Sequence, residues 1–129
     1  VAVAHACTTR LGGKPLIDFQ DVQLTLAQMM AETSTIRALV WQGARTWAPR
    51  QGVASMAKFH CTDTAMCVIE QAMDLLGEGA VLHRNRLDKI YRDARLTQIF
   101  EGTNQINRLS LIEDLQEDFL SKLSPGTQP

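Results

Sequence analysis

Glu101 stands between an aromatic residue, Phe100, and a glycine, Gly102, directly ahead of a helix start expected at Thr103. A glutamate in a loop is ordinarily a solvated surface charge. Three features of its setting point further. Ile99 and Phe100 offer an apolar wall, and desolvation raises a carboxylate's pKa toward neutrality, where it serves as a general base. Gly102 permits unusual backbone angles and the close approach of a ligand. Thr103, Asn104 and Gln105 set polar side chains and amide N–H groups at a helix N-terminus, which favours anionic oxygens. The residues alone describe a binding loop with a candidate base.

Other clusters carry less. His5, His60 and His83 are far apart, and His60-Cys61 with Cys67 lacks a fourth ligand at a suitable spacing, so no metal site is expected. The three cysteines form no C-x-x-C pair and are odd in number, which argues against a disulfide framework. Reduced, buried thiols are expected, as in a cytoplasmic protein or one of the mitochondrial matrix. Arg84, Arg86, Lys89, Arg92 and Arg95 alternate with Asp88 and Asp93, the pattern of a solvated, salt-bridged short helix. A formal charge of −1 gives no electrostatic case for nucleic acid or an anionic membrane. No apolar run approaches the roughly 20 residues needed to span a bilayer.

The elements that must position Glu101 read as helices, and strand signals are nearly absent. With 129 residues, 45% of them hydrophobic, the chain is one domain with enough apolar surface for a core. Val22, Leu26, Met29, Thr33, Ile36 and Val40 line one face of a helix expected from about Asp18 to Trp47, stopped by Pro49. A second helix carries Val53, Met56, His60, Thr64, Cys67, Val68, Gln71 and Leu75 on one side and ends at Gly77. A short helix follows over Leu87 to Ala94, with Leu96 to Gly102 as a connector. The last helix is expected to turn Ile106, Leu109, Ile112, Leu115 and Phe119 inward. Met29, Met30, Met66 and Met73 read as gap-filling core, and Trp41 and Trp47 as core or interface. The whole reads as an all-α, antiparallel up-and-down bundle over residues 1–120, with a flexible tail over 121–129. The chain has no initiator methionine and begins as if inside a helix, so it is expected to be a piece of a longer protein.

The run Tyr91-Arg92-Asp93-Ala94 through Ile99-Phe100-Glu101-Gly102-Thr103 to Gln105 resembles the Y-R-D-A…I-Y-E-G-T…Q stretch of the acyl-CoA dehydrogenase family, with Phe100 where tyrosine is usual. Weaker resemblances flank it. Thr9 to Gln20 is similar to the family's R-x-x-F-G-x-P-L…Q stretch, and Ala72 to Ala80 to its Q-x-x-G-G-x-G turn, with Asp74 and Glu78 in place of Gln and Gly. The resemblance implies the family's C-terminal helical domain, without its N-terminal helical and middle β domains. Glu101 would remove the α-proton of an acyl-CoA thioester while FAD takes a hydride from the β-carbon, and its backbone N–H would bind the thioester carbonyl. Phe100 and Gly102 would contact the substrate. Thr103 and Gln105 would contact FAD, while Arg10 and Gln20 would reach the FAD of a neighbouring subunit, implying a homo-oligomer or a partner chain. Arg92 and Asp93 would order the loop that carries the base. The domain alone would be inactive. An acyl-CoA oxidase remains a related reading. A non-catalytic helical subunit is the rival from another class, with Asp74 and Glu78 in its favour.

Overall fold

The computed structural model describes residues 1–45 and 51–123. Its helices are α1 (Ala2–Thr8), α2 (Gln20–Arg45), α3 (Gln51–Leu76), α4 (Leu87–Thr97) and α5 (Asn104–Leu123). Between α1 and α2 lies a small hairpin of β1 (Arg10–Leu11) and β2 (Lys14–Pro15), in register Arg10 to Pro15 and Leu11 to Lys14. Its turn, Gly12-Gly13, has φ of +60° and +84°, the two consecutive left-handed residues that a two-residue hairpin turn requires. Short 3₁₀ turns join the hairpin to α2 (16–18) and α3 to α4 (77–81 and 83–85).

α3 is the central helix. Ile36 of α2 accepts the Cys61 thiol through its carbonyl at 3.5 Å, while Leu26 and Met29 lie against the Ala72–Leu76 end, so α2 and α3 run antiparallel. On the other flank Gly52 faces Leu111 and Asp114, whereas Lys58 bonds Asn104, so α5 is antiparallel too. A Cβ on Gly52 would lie 2.5 Å from the Asp114 carboxylate and 3.1 Å from Leu111, which shows how closely these helices approach. α1, α4 and the intervening turns pack around the C-terminal end of α3. There Ala2, Ala72, Leu76, Ala80 and Leu87 form the buried cluster, flanked by Leu26, Met29, Ile69, Met73 and Leu75.

The all-α antiparallel bundle is the expected one, and four details differ. First, α2 starts at Gln20 rather than Asp18, because residues 16–18 take a 3₁₀ turn after Pro15; the Gln23 side chain ties its first turn to the Ile17 carbonyl at 2.9 Å. Trp47, Pro49 and Arg50, expected at the end of that helix, lie outside the described residues, as do residues 124–129 of the expected tail. Second, α4 continues to Thr97, and α5 runs through Ser121 to Leu123.

Third, the apolar stripe of α5 faces outward: Ile106, Leu109, Ile112, Leu115 and Phe119 are between 51% and 62% exposed. The face toward α3 holds Asn104, Asn107, Ser110, Leu111, Asp114 and Asp118, all buried or half-buried. Polar bonds at Asn104 and the close approach at Gly52 set the rotation of this helix, overriding its hydrophobic period. Fourth, the thiols are free but not uniformly buried. Cys7 and Cys67 are exposed, and only Cys61 is partly buried, which pushes its thiol pKa up. Met66 is core as expected, but Met30 is exposed; Trp41 is exposed too, which removes the core from its two expected places. The deepest α3 residues, Ser55, Met66, Ala72 and Leu76, flank the predicted stripe, whose His60 and Cys67 stay exposed, because α3 is packed on more than one face.

Candidate functional site

Glu101 occupies the tip of the connection between α4 and α5. Its φ is +53°, a region that residues with a Cβ seldom enter, and Gly102 follows at +92°. The loop is closed at its base by the Asn104 amide, which donates to the Gln98 carbonyl at 3.1 Å. Within it, the amides of Ile99 and Phe100 donate to the Leu96 carbonyl at 3.0 and 3.1 Å. Thr103 is the N-cap of α5: its hydroxyl accepts from the Ile106 amide at 3.3 Å.

A polar clamp from α3 holds this loop from below. Lys58 Nζ donates to the Gly102 carbonyl and to Asn104 Oδ1, both at 2.7 Å. Asn107 Nδ2 is a second donor to Gly102 O at 3.1 Å. Asn104, only 4% exposed, also donates through Nδ2 to Asp63 Oδ1 at 2.7 Å and to Thr62 Oγ1 at 2.9 Å. Asp63 further accepts from Gln98 Nε2 at 2.6 Å and from Arg108 at 2.7 Å, and the Arg108 guanidinium lies 5.2 Å over the Phe59 ring. Both side-chain ends of the buried Asn104 are thus satisfied, as a polar group in that position requires.

These residues went unrecognised in the sequence, Asn104 excepted, which was noticed only as a polar group at a helix start. The available signal was Lys58 and Asp63, the two formal charges in the first half of α3. The loop-ordering role expected of Arg92 and Asp93 falls to the clamp instead. Arg92 bonds Asp88 at 3.2 Å and Asp93 bonds Lys89, so both spend their charge along α4 itself, where i, i+4 partners are nearest. The expectation of a salt-bridged basic helix is met there. The apolar wall is not closed within the described residues: Ile99, Phe100 and Glu101 are all exposed.

Phe100, Glu101, Gly102, Thr103 and Gln105 are brought together by the loop. Arg10 and Gln20 are not among them. They lie where the hairpin and the start of α2 meet α1, at the Leu76 end of α3, roughly 20 Å along the helix axis from the clamp at 1.5 Å per residue. Arg10 is in β1, exposed, with its guanidinium donating to the Gly13 carbonyl at 2.8 Å. At that end a groove of about 880 Å³ is lined by His5, Thr8, Asp74, Glu78, Arg84 and Asn85 among others. Gly77, with φ of +53°, turns the chain out of α3 beside it, as its left-handed C-cap role predicts. Among the described residues no group of three His, Cys, Asp or Glu side chains could hold a metal, and no helix is long and apolar enough to cross a membrane.

For a dinucleotide cofactor the donor chemistry fits at both ends. The start of the long helix α5 carries Thr103 and Gln105, the start of α2 carries Gln20, and the hairpin before α2 carries Arg10. Asp74 and Glu78 are the acidic exceptions.

Known proteins share this fold. A family model described as "Acyl-CoA dehydrogenase, C-terminal domain" matches residues 1–116. The chain is 33% identical over 123 residues to the mitochondrial short-chain specific acyl-CoA dehydrogenase of Bos taurus, covering 93% of this chain and 30% of that protein. It is 35% identical over 113 residues to cyclohex-1-ene-1-carbonyl-CoA dehydrogenase of Geobacter metallireducens, covering 84% and 30%. Among solved structures, butyryl-CoA dehydrogenase from Megasphaera elsdenii superposes with a TM-score of 0.83 at 30% identity, over 89% of this chain and 31% of that one. The chain spans about 30% of the length of the curated relatives it matches. The match over residues 1–116, on an all-α bundle that superposes on a solved acyl-CoA dehydrogenase, places this chain in the acyl-CoA dehydrogenase family, as its C-terminal domain.

Proposed function

We propose that this chain is the C-terminal part of an FAD-dependent acyl-CoA dehydrogenase, with Glu101 as the base. The observation that carries the reading is the left-handed Glu101 itself. A full side chain is kept at φ +53° at an exposed loop tip, with the loop beneath it clamped by Lys58, Asn104 and Asp63. Arg86 shares the conformation at φ +56°, and what sets Glu101 apart is the polar clamp that holds its loop from a neighbouring helix.

The Glu101 carboxylate takes the α-proton of the acyl thioester. Its backbone N–H donates to the thioester carbonyl and stabilises the enolate-like charge that develops as the proton leaves. Gly102, lacking a side chain, lets the thioester approach, and Phe100 offers it an aromatic face. Bound FAD would supply the acceptor for the hydride leaving the β-carbon, so that a double bond would form between the two carbons. Thr103 would lie near its pyrophosphate and Gln105 toward its adenine side. Arg10 and Gln20, roughly 20 Å away along α3, would serve the FAD of a second copy in a homo-oligomer. The acyl-CoA and the rest of the flavin would be held largely by parts of the protein beyond this domain, so the domain by itself would not turn over.

In the complete flavoprotein, Glu101→Gln should retain flavin and helicity, yet anaerobic addition of acyl-CoA should no longer bleach the flavin band. Bleaching at the wild-type rate would remove Glu101 from the role. A second reading, a non-catalytic helical subunit of a related flavoprotein, is favoured by Asp74 and Glu78, exposed carboxylates lining the groove where the family's turn would meet a partner's FAD. That reading requires Glu101→Ala to leave the assembled complex fully active.

A further inference from the structure

We propose that Lys58 is a positioning residue for proton removal: by holding the Gly102 carbonyl it fixes the orientation of the left-handed Glu101–Gly102 pair. The inference rests on Glu101 being the base, and extends the site onto α3.

Gly102 O accepts from Lys58 Nζ at 2.7 Å and from the neutral Asn107 amide at 3.1 Å. A trans peptide is planar, with its C=O and N–H pointing in opposite directions. Drawing the Gly102 carbonyl toward α3 therefore turns the Thr103 N–H away from it, and sets the direction in which the preceding Glu101 unit leaves the loop. Without that restraint, Glu101 gains by relaxing out of the left-handed region into the ordinary ones, which would swing its carboxylate and its amide together. A bond from an ammonium is stronger than one from a neutral amide, so Lys58 is the firmer of the two restraints on this carbonyl.

The geometry also separates Lys58 from a generic surface lysine. Among the described residues it forms no ion pair; its ammonium, half-buried, bonds two neutral oxygens at 2.7 Å that both belong to the loop and its helix start. Asp63, five positions on, anchors the other side of Asn104 and the base of the loop at Gln98. The carboxylate thereby keeps Asn104 turned so that its Oδ1 faces Lys58. The clamp thus spans α3, the loop and α5, and its charged end sits directly under the strained pair.

The test is made on the complete FAD-containing protein with Lys58→Met, Lys58→Gln and Lys58→Arg, and with Glu101→Gln alongside. Lys58→Met should keep its flavin content and KM while the rate of flavin reduction by acyl-CoA falls about 10- to 100-fold, the scale of a misplaced reacting group. Lys58→Arg, which keeps a charged donor, should recover most of the rate. A reduction rate in Lys58→Met within about twofold of wild type overturns the proposal, as does a rise in KM with kcat unchanged. If Lys58→Met does not accumulate folded, Lys58→Gln decides by the same criteria. Loss in Glu101→Gln without loss in the Lys58 variants rejects the clamp and leaves the base in place. Flavin reduction that survives Glu101→Gln rejects the base, and the positioning role with it.

Discussion

The Glu101 loop and the turn after α3 enter the same left-handed region by opposite means. At Gly77, φ is +53° and a glycine supplies it; a Cβ there would meet nothing within 4 Å, so backbone freedom is the only demand on that position. At Glu101, φ is also +53°, but a glutamate occupies it. The Gly77 turn rests on the apolar cluster of Leu76, Ala80 and Leu87, with the Asn85 side chain on the Gly79 carbonyl at 2.7 Å. The Glu101 loop rests on a charged clamp that reaches across two helices. The connection after α3 uses glycine and packing at Gly77, and its own left-handed non-glycine, Arg86 at φ +56°, sits at the start of α4 without a side-chain cap bond. The Glu101 loop differs in the polar bonds from a second helix that hold its strained pair.

The largest effect that would break this comparison is at Glu101. Glu101→Gly relieves about 1–2 kcal/mol of left-handed strain but adds about 0.5–1 kcal/mol of unfolded-state freedom, so stability should rise by no more than about 1.5 kcal/mol. Flavin reduction by acyl-CoA should fall about 10²- to 10⁴-fold in the same protein. Denaturant midpoint and stopped-flow flavin bleaching together check the pair, and a large drop in stability would show that the side chain is structural.

Gly102→Ala comes next. It forces a Cβ to φ +92° and to within 3.3 Å of Asn107 Nδ2, one of the two donors on the Gly102 carbonyl. A loss of about 1–3 kcal/mol is expected, read as a lower denaturant midpoint, with slower flavin reduction in what remains folded. Gly77→Ala sharpens the contrast: about 1–2 kcal/mol should be lost from the φ strain alone, with the chemistry of the Glu101 loop unchanged per folded molecule.

The smallest effect lies near the Gly77 side, at Asp88. The Lys89 backbone N–H lowers the pKa of its carboxyl, with Arg92 and His83 adding to the shift against partial desolvation. A lowered folded-state pKa means that the contribution is present above the unfolded value, near pH 4, and is lost as pH falls through the folded one. Asp88→Asn should therefore lower the neutral plateau slightly while leaving stability near pH 2 unchanged, which flattens the acid limb, as urea midpoints measured from pH 2 to 7 would show.

Helix number, the bundle class and the family were legible along the chain, because each depends on local or contiguous features: a helical period, a C-cap glycine at Gly77, and the unbroken run from Tyr91 to Gln105. The two-residue hairpin was missed because its strands are too short to show an alternation, although Gly12-Gly13 marks its turn. The rotation of α5 was misread for a deeper reason. Its apolar stripe implied one inner face, while Asn104 bonding Lys58 and Asp63, and Gly52 admitting Leu111 and Asp114, turned another face inward. Periodicity reports which side of a helix is apolar, not what covers that side in the complete protein.

The sequence by itself determined that a glutamate flanked by an aromatic residue and a glycine would precede a helix in an all-α domain. Tertiary structure alone decided what holds that glutamate. Lys58 and Gly102 are 44 positions apart, and Asp63 and Asn104 are 41 apart. Hydrogen bonds depend on distances of about 3 Å in space, and no local pattern encodes which α3 side chain will meet which α5 partner once the helices pack.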